Sequence, residues 1–255
     1  MLPKGRIETA HVWKRFRRRE RKPSIRGFLR PGPPDTGRPE KWLWALRDVS
    51  LTVAPGEAIG LLGSNGSGKS TLLKLMTGVM YPYAGSVQLA GRIGALIEVA
   101  GGLHPELTGR QNIFLYGSLL GLRRKEMVNR FDTIVEFAEL AEALDRQVKF
   151  YSSGMKMRLG FSVAAFLEPD VLLVDEVLAV GDASFQAKCK ARMLEVQKSG
   201  TTIVFVSHDL VSLAALCQRG VWMYEGRVRA EGDINSVVKA YEAEVARTGL
   251  PLTHK

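Results

Sequence analysis

Between Gly63 and Thr71 the chain reads GSNGSGKST, and Gly63, Gly68, Lys69 and Ser70 fill the spacing G-x-x-x-x-G-K-[S/T]. Small residues let successive backbone N–H groups curl round an anion, while the helix that follows aims its positive end at it. The flanks meet the same requirement. AIGLL (Ala58 to Leu62) is a continuous apolar run of strand length, and TLLKLM (Thr71 to Met76) opens a helical pattern. A strand that delivers such a loop belongs to an α/β sheet whose ligands gather at the carboxyl ends of the strands. Within the loop, Gly63, Ser64, Asn65, Gly66, Ser67, Gly68, Lys69, Ser70 and Thr71 are candidate contacts to nucleotide phosphates. Lys69 places a point charge on the outer phosphates, and the Ser70 hydroxyl is a ligand for Mg²⁺.

A chain of 255 residues with 45% hydrophobic and 24% charged content can bury a large core. No window approaches a membrane-spanning length of apolar residues, and MLPKGRIETA lacks the apolar centre of a signal peptide. The expectation is a chain that neither spans a membrane nor is secreted by that route. Cys189 and Cys217 are the only cysteines, and neither sits in a CxxC or Cys/His cluster, so a disulfide framework or zinc site has no support.

The net charge of +10 raises the question of an anionic partner, and its distribution narrows the answer. Residues 1–41 hold 13 Lys and Arg against 4 Asp and Glu, so +9 of the excess lies there and the remainder of the chain carries only +1. Strand patterns at Arg6 to Phe16 and Leu46 to Val53 bracket an insert over about 14–41 that begins KRFRRRERK and continues into RPGPPDTGRP. Its composition fits an exposed loop with one short basic helix around Ser24 to Leu29. A charge run of this kind is either a solvated loop or an attraction to anionic lipid or a lipid-linked glycan at a membrane surface.

Farther along, GSVQLAG (Gly85 to Gly91) reads as a strand of a small antiparallel layer. From HPELTGRQN (His104 to Asn112) to about Arg146 the pattern turns helical, giving an insertion over about 104–168. VLLVDE (Val171 to Glu176) and TTIVFVSHD (Thr201 to Asp209) are buried parallel strands ending in carboxylates and in a histidine. A hairpin about Glu225-Gly226 and a closing helix complete the chain over about 221–248. The strand ending in Asp175 and Glu176 is expected beside the phosphate-loop strand, where one carboxylate holds the metal and the other activates water.

YSSGMKMRLGFSVA (Tyr151 to Ala164) resembles the signature of ATP-binding-cassette ATPases, LSGGQ followed by K-x-R and a helix. Ser152, Ser153, Gly154 and Met155 stand at its last four positions, a small-residue turn at a helix start that offers N–H groups and a hydroxyl to phosphate. The resemblance covers nearly the whole chain. It implies one cassette over 1–255, a P-loop NTPase (RecA-like) ABC ATPase core with a small antiparallel β layer and an inserted helical subdomain. It further implies a homodimer with two ATP molecules sandwiched between the subunits. Glu176 then serves as general base, Asp175 as metal ligand, His208 as the γ-phosphate contact and Asp182 as a link across the dimer. Phe16 matches the aromatic that stacks on adenine, with Trp42 and Trp44 as alternatives for that ring.

Three departures narrow the likeness. Glu98 stands where the family's metal-sensing glutamine is usual, Ser153 and Met155 replace Gly and Gln, and VLAVGD replaces PTSALD. These features are similar to those of exporters of lipid-linked polysaccharides, of teichoic acid, O-antigen and capsule type. That implies a multi-spanning transmembrane export subunit as partner, a peripheral place at the cytoplasmic face of the cell membrane, and Mg²⁺ held by Ser70, Asp175 and Glu98. The alternative is a soluble cassette ATPase acting on nucleic acid or ribosomes. With one cassette and no sustained heptads, nucleic acid is not the expected partner.

Overall fold

Every residue of AIGLL is buried, as a strand covered on both faces must be. In the computed structural model, which describes residues 2–17, 42–96, 101–175 and 181–249, it is the third strand of a mixed chain. The elements run β1 (Ile7–Arg17), β2 (Trp42–Val53), β3 (Ala58–Leu62), α1 (Lys69–Met76), β4 (Ala84–Leu89), β5 (Ile93–Leu96), α2 (Gly109–Leu119), α3 (Arg124–Ala138) and α4 (Ser153–Ala165). They continue β6 (Val171–Asp175), α5 (Ala183–Lys198), β7 (Thr202–Val206), α6 (Leu210–Leu216), β8 (Arg219–Tyr224), β9 (Arg227–Asp233) and α7 (Ile234–Thr248).

Six strands form one sheet in the order β5-β6-β7-β3-β8-β9, parallel except for the antiparallel hairpin partner β9. This order corrects one expectation. The carboxylate strand β6 is not the immediate neighbour of β3, because β7 pairs with both of them. All five residues of β7, TIVFV, are buried, so that strand is stable only between two neighbours and under helices on both faces. Burying Ile203, Val204, Phe205 and Val206 contributes roughly 1.5–3 kcal/mol per side chain. Strand order of this kind is set by which apolar faces meet in three dimensions, and no local pattern records it.

The second sheet, β2-β1-β4, is antiparallel. Here the insert is shorter than its composition suggests. Lys14, Arg15, Phe16 and Arg17 belong to β1 and pair with Leu46, Trp44, Leu43 and Trp42, which extend β2 upstream of Leu46. Aromatic partners on β2 make a basic strand stable, since the Arg15 guanidinium lies 4.2 Å from the ring centre of Trp42. Residues 18–41, with the short basic helix expected at Ser24 to Leu29, lie outside the described residues.

Helices α2 to α4 follow β5 and precede β6. Thr108 and Gln111 cap α2 reciprocally, with the Gln111 N–H donating to Thr108 Oγ1 at 3.2 Å and the Thr108 N–H donating to Gln111 Oε1 at 2.9 Å. Asn112, fully buried, accepts from the His104 N–H and donates to the carbonyls of His104, Leu107 and Thr108, which fixes the approach to α2. Phe114 and Phe131 stack at 5.5 Å between α2 and α3, and Phe137 meets Phe161, Phe166 and Phe185. At the other end of the chain, Glu225 and Gly226 make the two-residue turn of the β8–β9 hairpin. The turn abuts the phosphate loop, with the Gly226 N–H donating to the Ser67 carbonyl at 3.0 Å.

Candidate active site

The loop between β3 and α1 has the shape of an anion cradle because two of its glycines leave no room for a side chain. A Cβ at Gly63 would stand 2.2 Å from the Met223 carbonyl oxygen, and one at Gly68 2.6 Å from that of Ala45. Gly68 is the N-cap of α1, at φ 109°, and no side chain caps the helix. The first N–H groups of α1 are thus left without the usual side-chain acceptor. Lys69 is buried and its Nζ donates to the carbonyls of Gly63 at 2.6 Å and Ser64 at 3.0 Å, so the ammonium lies across the loop. Ser67 Oγ is buried with no hydrogen-bond partner. An uncapped helix start and an orphaned hydroxyl are groups that a bound phosphate would satisfy, beside an ammonium that the loop carbonyls hold in place.

Beside the loop lies a cleft of about 280 Å³ lined by Phe16, Leu43, Trp44, Ala45, Asn65, Gly66, Gly68, Lys69, Ser70 and Thr71. Phe16 is 38% exposed there. The three candidate rings differ in their place. Phe16 pairs with Leu43 and both line the cleft, Trp44 pairs with Arg15 and borders the cleft as well, and Trp42, paired with Arg17, does not line it. The Trp44 ring is engaged edge to face with Trp13 at 5.4 Å and with Tyr83 at 5.5 Å.

The other candidates lie along the same sheet edge. Asp175 is the last residue of β6 and pairs with Val206, the last residue of β7, after which Ser207 and the half-buried His208 follow. Asp209 holds that turn, accepting from the N–H groups of Val211 and Ser212 and from the Ser212 hydroxyl. The Ser212 hydroxyl and these amides hold its carboxyl below the usual range. Glu98 and Glu176 lie outside the described residues. Among the described residues no three His, Cys, Asp or Glu side chains converge as a metal cluster. The donors Ser70 and Asp175 suit a hard cation that takes its remaining ligands from phosphate and water.

Ser152 is the N-cap of α4, and its Oγ accepts from the Met155 N–H at 3.2 Å. Ser152 and Ser153 are exposed, while the Met155 side chain packs against the core. None of the residues lining the cleft beside the phosphate loop comes from this turn. Asp182 caps α5, accepting from the Phe185 N–H at 2.9 Å and the Ser184 hydroxyl at 2.8 Å, and these bonds hold its carboxyl below the ordinary range. Sequence reasoning missed what ties the two turns together. Arg158 donates to Asp182 Oδ2 at 2.5 Å and to Glu139 Oε2 at 2.7 Å, and Lys188 also pairs with Glu139. The arginine of K-x-R was visible as a motif position, but its partners lie 19 and 24 residues away.

A family model described as ABC transporter matches residues 46–179. The O-antigen export system ATP-binding protein RfbB of Klebsiella pneumoniae is 50% identical over 202 residues, 79% of this chain and 82% of that protein. The teichoic acids export ATP-binding protein TagH of Bacillus cereus is 44% identical over 200 residues, 78% of this chain and 36% of that protein. Among solved structures, a dimeric ATP-binding cassette in a post-hydrolysis state bound to ADP and Pi superposes with a TM-score of 0.71 at 21% identity, over 89% of this chain and 98% of its own. The ATP-binding subunit of an ABC transporter gives 0.73 at 24% identity, over 92% of this chain and 93% of its own.

Proposed function

This chain belongs to the ABC transporter family, and we propose that it is the ATP-hydrolysing subunit that powers export of a lipid-linked polysaccharide through a separate multi-spanning membrane protein. The observation that carries the reading is the phosphate loop itself: a buried Lys69, an orphaned Ser67 hydroxyl and an uncapped α1 at one edge of a cleft that Phe16 closes. The cargo class, of O-antigen or teichoic acid kind, is supported by the export systems for which the relatives are named. The nucleic-acid alternative finds no support among those relatives.

In this reading Phe16 stacks on adenine, and Gly63 to Thr71 hold the phosphates with backbone N–H groups. Mg²⁺, when bound, neutralises charge between the outer phosphates, and Ser70, Asp175 and Glu98 are the residues to hold it. Glu176 takes a proton from the attacking water as its oxygen bonds to the γ-phosphorus and the bond to the ADP oxygen breaks. Lys69 and His208 stabilise the charge that gathers on the transferring group. The signature turn, Ser152 to Met155, and Asp182 of a second copy close the site, since none of them lines the cleft of their own chain. Among the described residues no helix is long and apolar enough to cross a membrane. In this reading the chain is a peripheral subunit at the cytoplasmic face, which the export systems for which the relatives are named support.

The test is Glu176→Gln. General-base catalysis contributes roughly 10²- to 10⁴-fold, so this variant should bind ATP, accumulate as a dimer on size exclusion and hydrolyse at a rate reduced by that order. Undiminished steady-state hydrolysis would remove Glu176 from the role. Purification from membranes should bring down a multi-spanning protein. Salt-sensitive RNA or DNA binding without one would overturn the exporter reading.

A further inference from the structure

Three of the chain's four tryptophans, Trp13, Trp42 and Trp44, gather on the second sheet with Tyr83 and one guanidinium. The Arg15 guanidinium carbon lies 4.0 Å from the ring centre of Tyr83, 4.2 Å from Trp42 and 5.4 Å from Trp44. The rings brace one another edge to face, with interplanar angles of 78° for Trp13–Trp44 and 82° for Trp44–Tyr83. This is not core. Tyr83 is 56% exposed, the three indoles are half-buried, and the cluster belongs to neither of the two apolar cores formed by the described residues. Of its members only Trp44 borders the cleft beside the phosphate loop, and Trp13, Arg15, Trp42 and Tyr83 are not among the residues that line it.

A cation fixed against exposed indole and phenol rings combines two properties. The rings are amphipathic bodies of the kind that settle at lipid headgroup level. The guanidinium keeps its charge and presents a planar donor fork suited to phosphate. Charge selects the surface. Lys14, Arg15 and Arg17 share this end of β1, and residues 1–41 of the sequence hold 13 basic against 4 acidic side chains. We propose that the Trp13–Trp42–Trp44–Tyr83 face, with Arg15 at its centre, seats on anionic phospholipid headgroups, the rings at headgroup depth and the guanidinium on a lipid phosphate. The proposal deepens the peripheral-membrane reading above and rests on it.

The full chain supplies its own probe. Trp222 is buried, 4% exposed, and lies outside the cluster, so it serves as a reference that lipid cannot reach. With phosphatidylcholine vesicles containing phosphatidylglycerol brominated near the acyl carbonyl, tryptophan emission should shift to the blue and be quenched, and with phosphatidylcholine alone it should do neither. Arg15→Gln should reduce the bound fraction several-fold at a fixed lipid concentration with circular dichroism unchanged, and Trp42→Phe, which keeps a ring, should reduce it less. Sedimentation with the vesicles but no quenching would overturn the proposal, leaving charge alone as the attraction. So would quenching that persists undiminished in Arg15→Gln, or quenching prevented by free glycerol phosphate with no vesicle bound. ATP hydrolysis and co-isolation of the membrane partner, measured on the same preparation, keep the two readings apart. Full hydrolysis and partner binding with unquenched tryptophan sink this face alone, whereas loss of the partner with quenching intact sinks the exporter reading alone.

Discussion

Two helices of this chain begin at small-residue turns, and they begin in opposite ways. α1 starts at Gly68, in left-handed conformation and without a side-chain cap, while α4 starts at Ser152, whose own hydroxyl accepts from the Met155 N–H. The glycines differ in the same sense. Gly68 is demanded by its own fold, since a Cβ there would meet the Ala45 carbonyl at 2.6 Å and the Leu46 side chain at 2.8 Å. Gly154 is not, because a Cβ would meet only Ser152 Oγ, at 3.8 Å, and its φ is unexceptional. A glycine in a helix costs about 1 kcal/mol relative to alanine, so one that its own chain does not need points to a close approach from outside. The first turn is a preformed anion site. The second is closed on itself, so that anything approaching Gly154 would come from outside the chain.

The largest effect should come from Lys69→Ala. Removing the only buried ammonium of the loop should lower ATP hydrolysis by about 10²-fold or more with the fold retained, as steady-state phosphate release would report. A loss of less than about threefold would erase the contrast, since α1 would then be no more catalytic than α4. Next comes Gly68→Ala, where left-handed strain and the clash with Ala45 should together cost about 2–4 kcal/mol of stability in denaturant unfolding.

At the second turn, stability and activity should separate. Ser152→Ala should lose about 1 kcal/mol with the cap, whereas Ser152→Asn should keep stability within a few tenths. If the hydroxyl meets the partner's nucleotide, Ser152→Asn should still lower hydrolysis about tenfold, the worth of one charge-assisted hydrogen bond. Gly154→Ala sharpens the same point, because it should stabilise the isolated chain by about 0.5–1 kcal/mol while weakening ATP-driven dimerisation of the Glu176→Gln background. Improved stability together with unimpaired dimerisation would show that nothing approaches Gly154.

The smallest effect concerns pH. The Phe185 amide and the Ser184 hydroxyl hold the Asp182 carboxyl below its ordinary value. A depressed carboxylate contributes stability that is complete above its unfolded pKa, about 3.9, and is lost as pH falls through the lower folded value. Asp182→Asn, which keeps the cap but not the charge, should therefore flatten the acid limb of melting temperature against pH by giving up, at neutral pH, the small stability that the carboxylate supplies there.

Much of the site was readable along the chain because its parts are local. A phosphate loop is contiguous backbone, so Gly63, Gly68, Lys69 and Ser70 declare it by spacing, and buried parallel strands declare themselves as apolar runs ending at Asp175 and near His208. What escaped were relations between distant residues. Arg158 reaches Asp182 and Glu139 across two helices, and whether Phe16 or a tryptophan faces the nucleotide depends on the β1–β2 register, which sets the face of every side chain.

By itself, then, the sequence determined which residues are candidates for the chemistry: a phosphate-loop pattern, a carboxylate and a histidine at strand ends, a signature-like turn and a basic stretch, each encoded within a few residues. Tertiary structure alone decided that β7 separates β6 from β3, that Phe16 and Trp44 line the cleft while Trp42 and Arg15 do not, and that the signature turn is absent from its own chain's cleft. The reason is physical. Local motifs follow from backbone geometry, whereas strand order and facing follow from which apolar surfaces are buried against each other, a sum over contacts far apart in the chain.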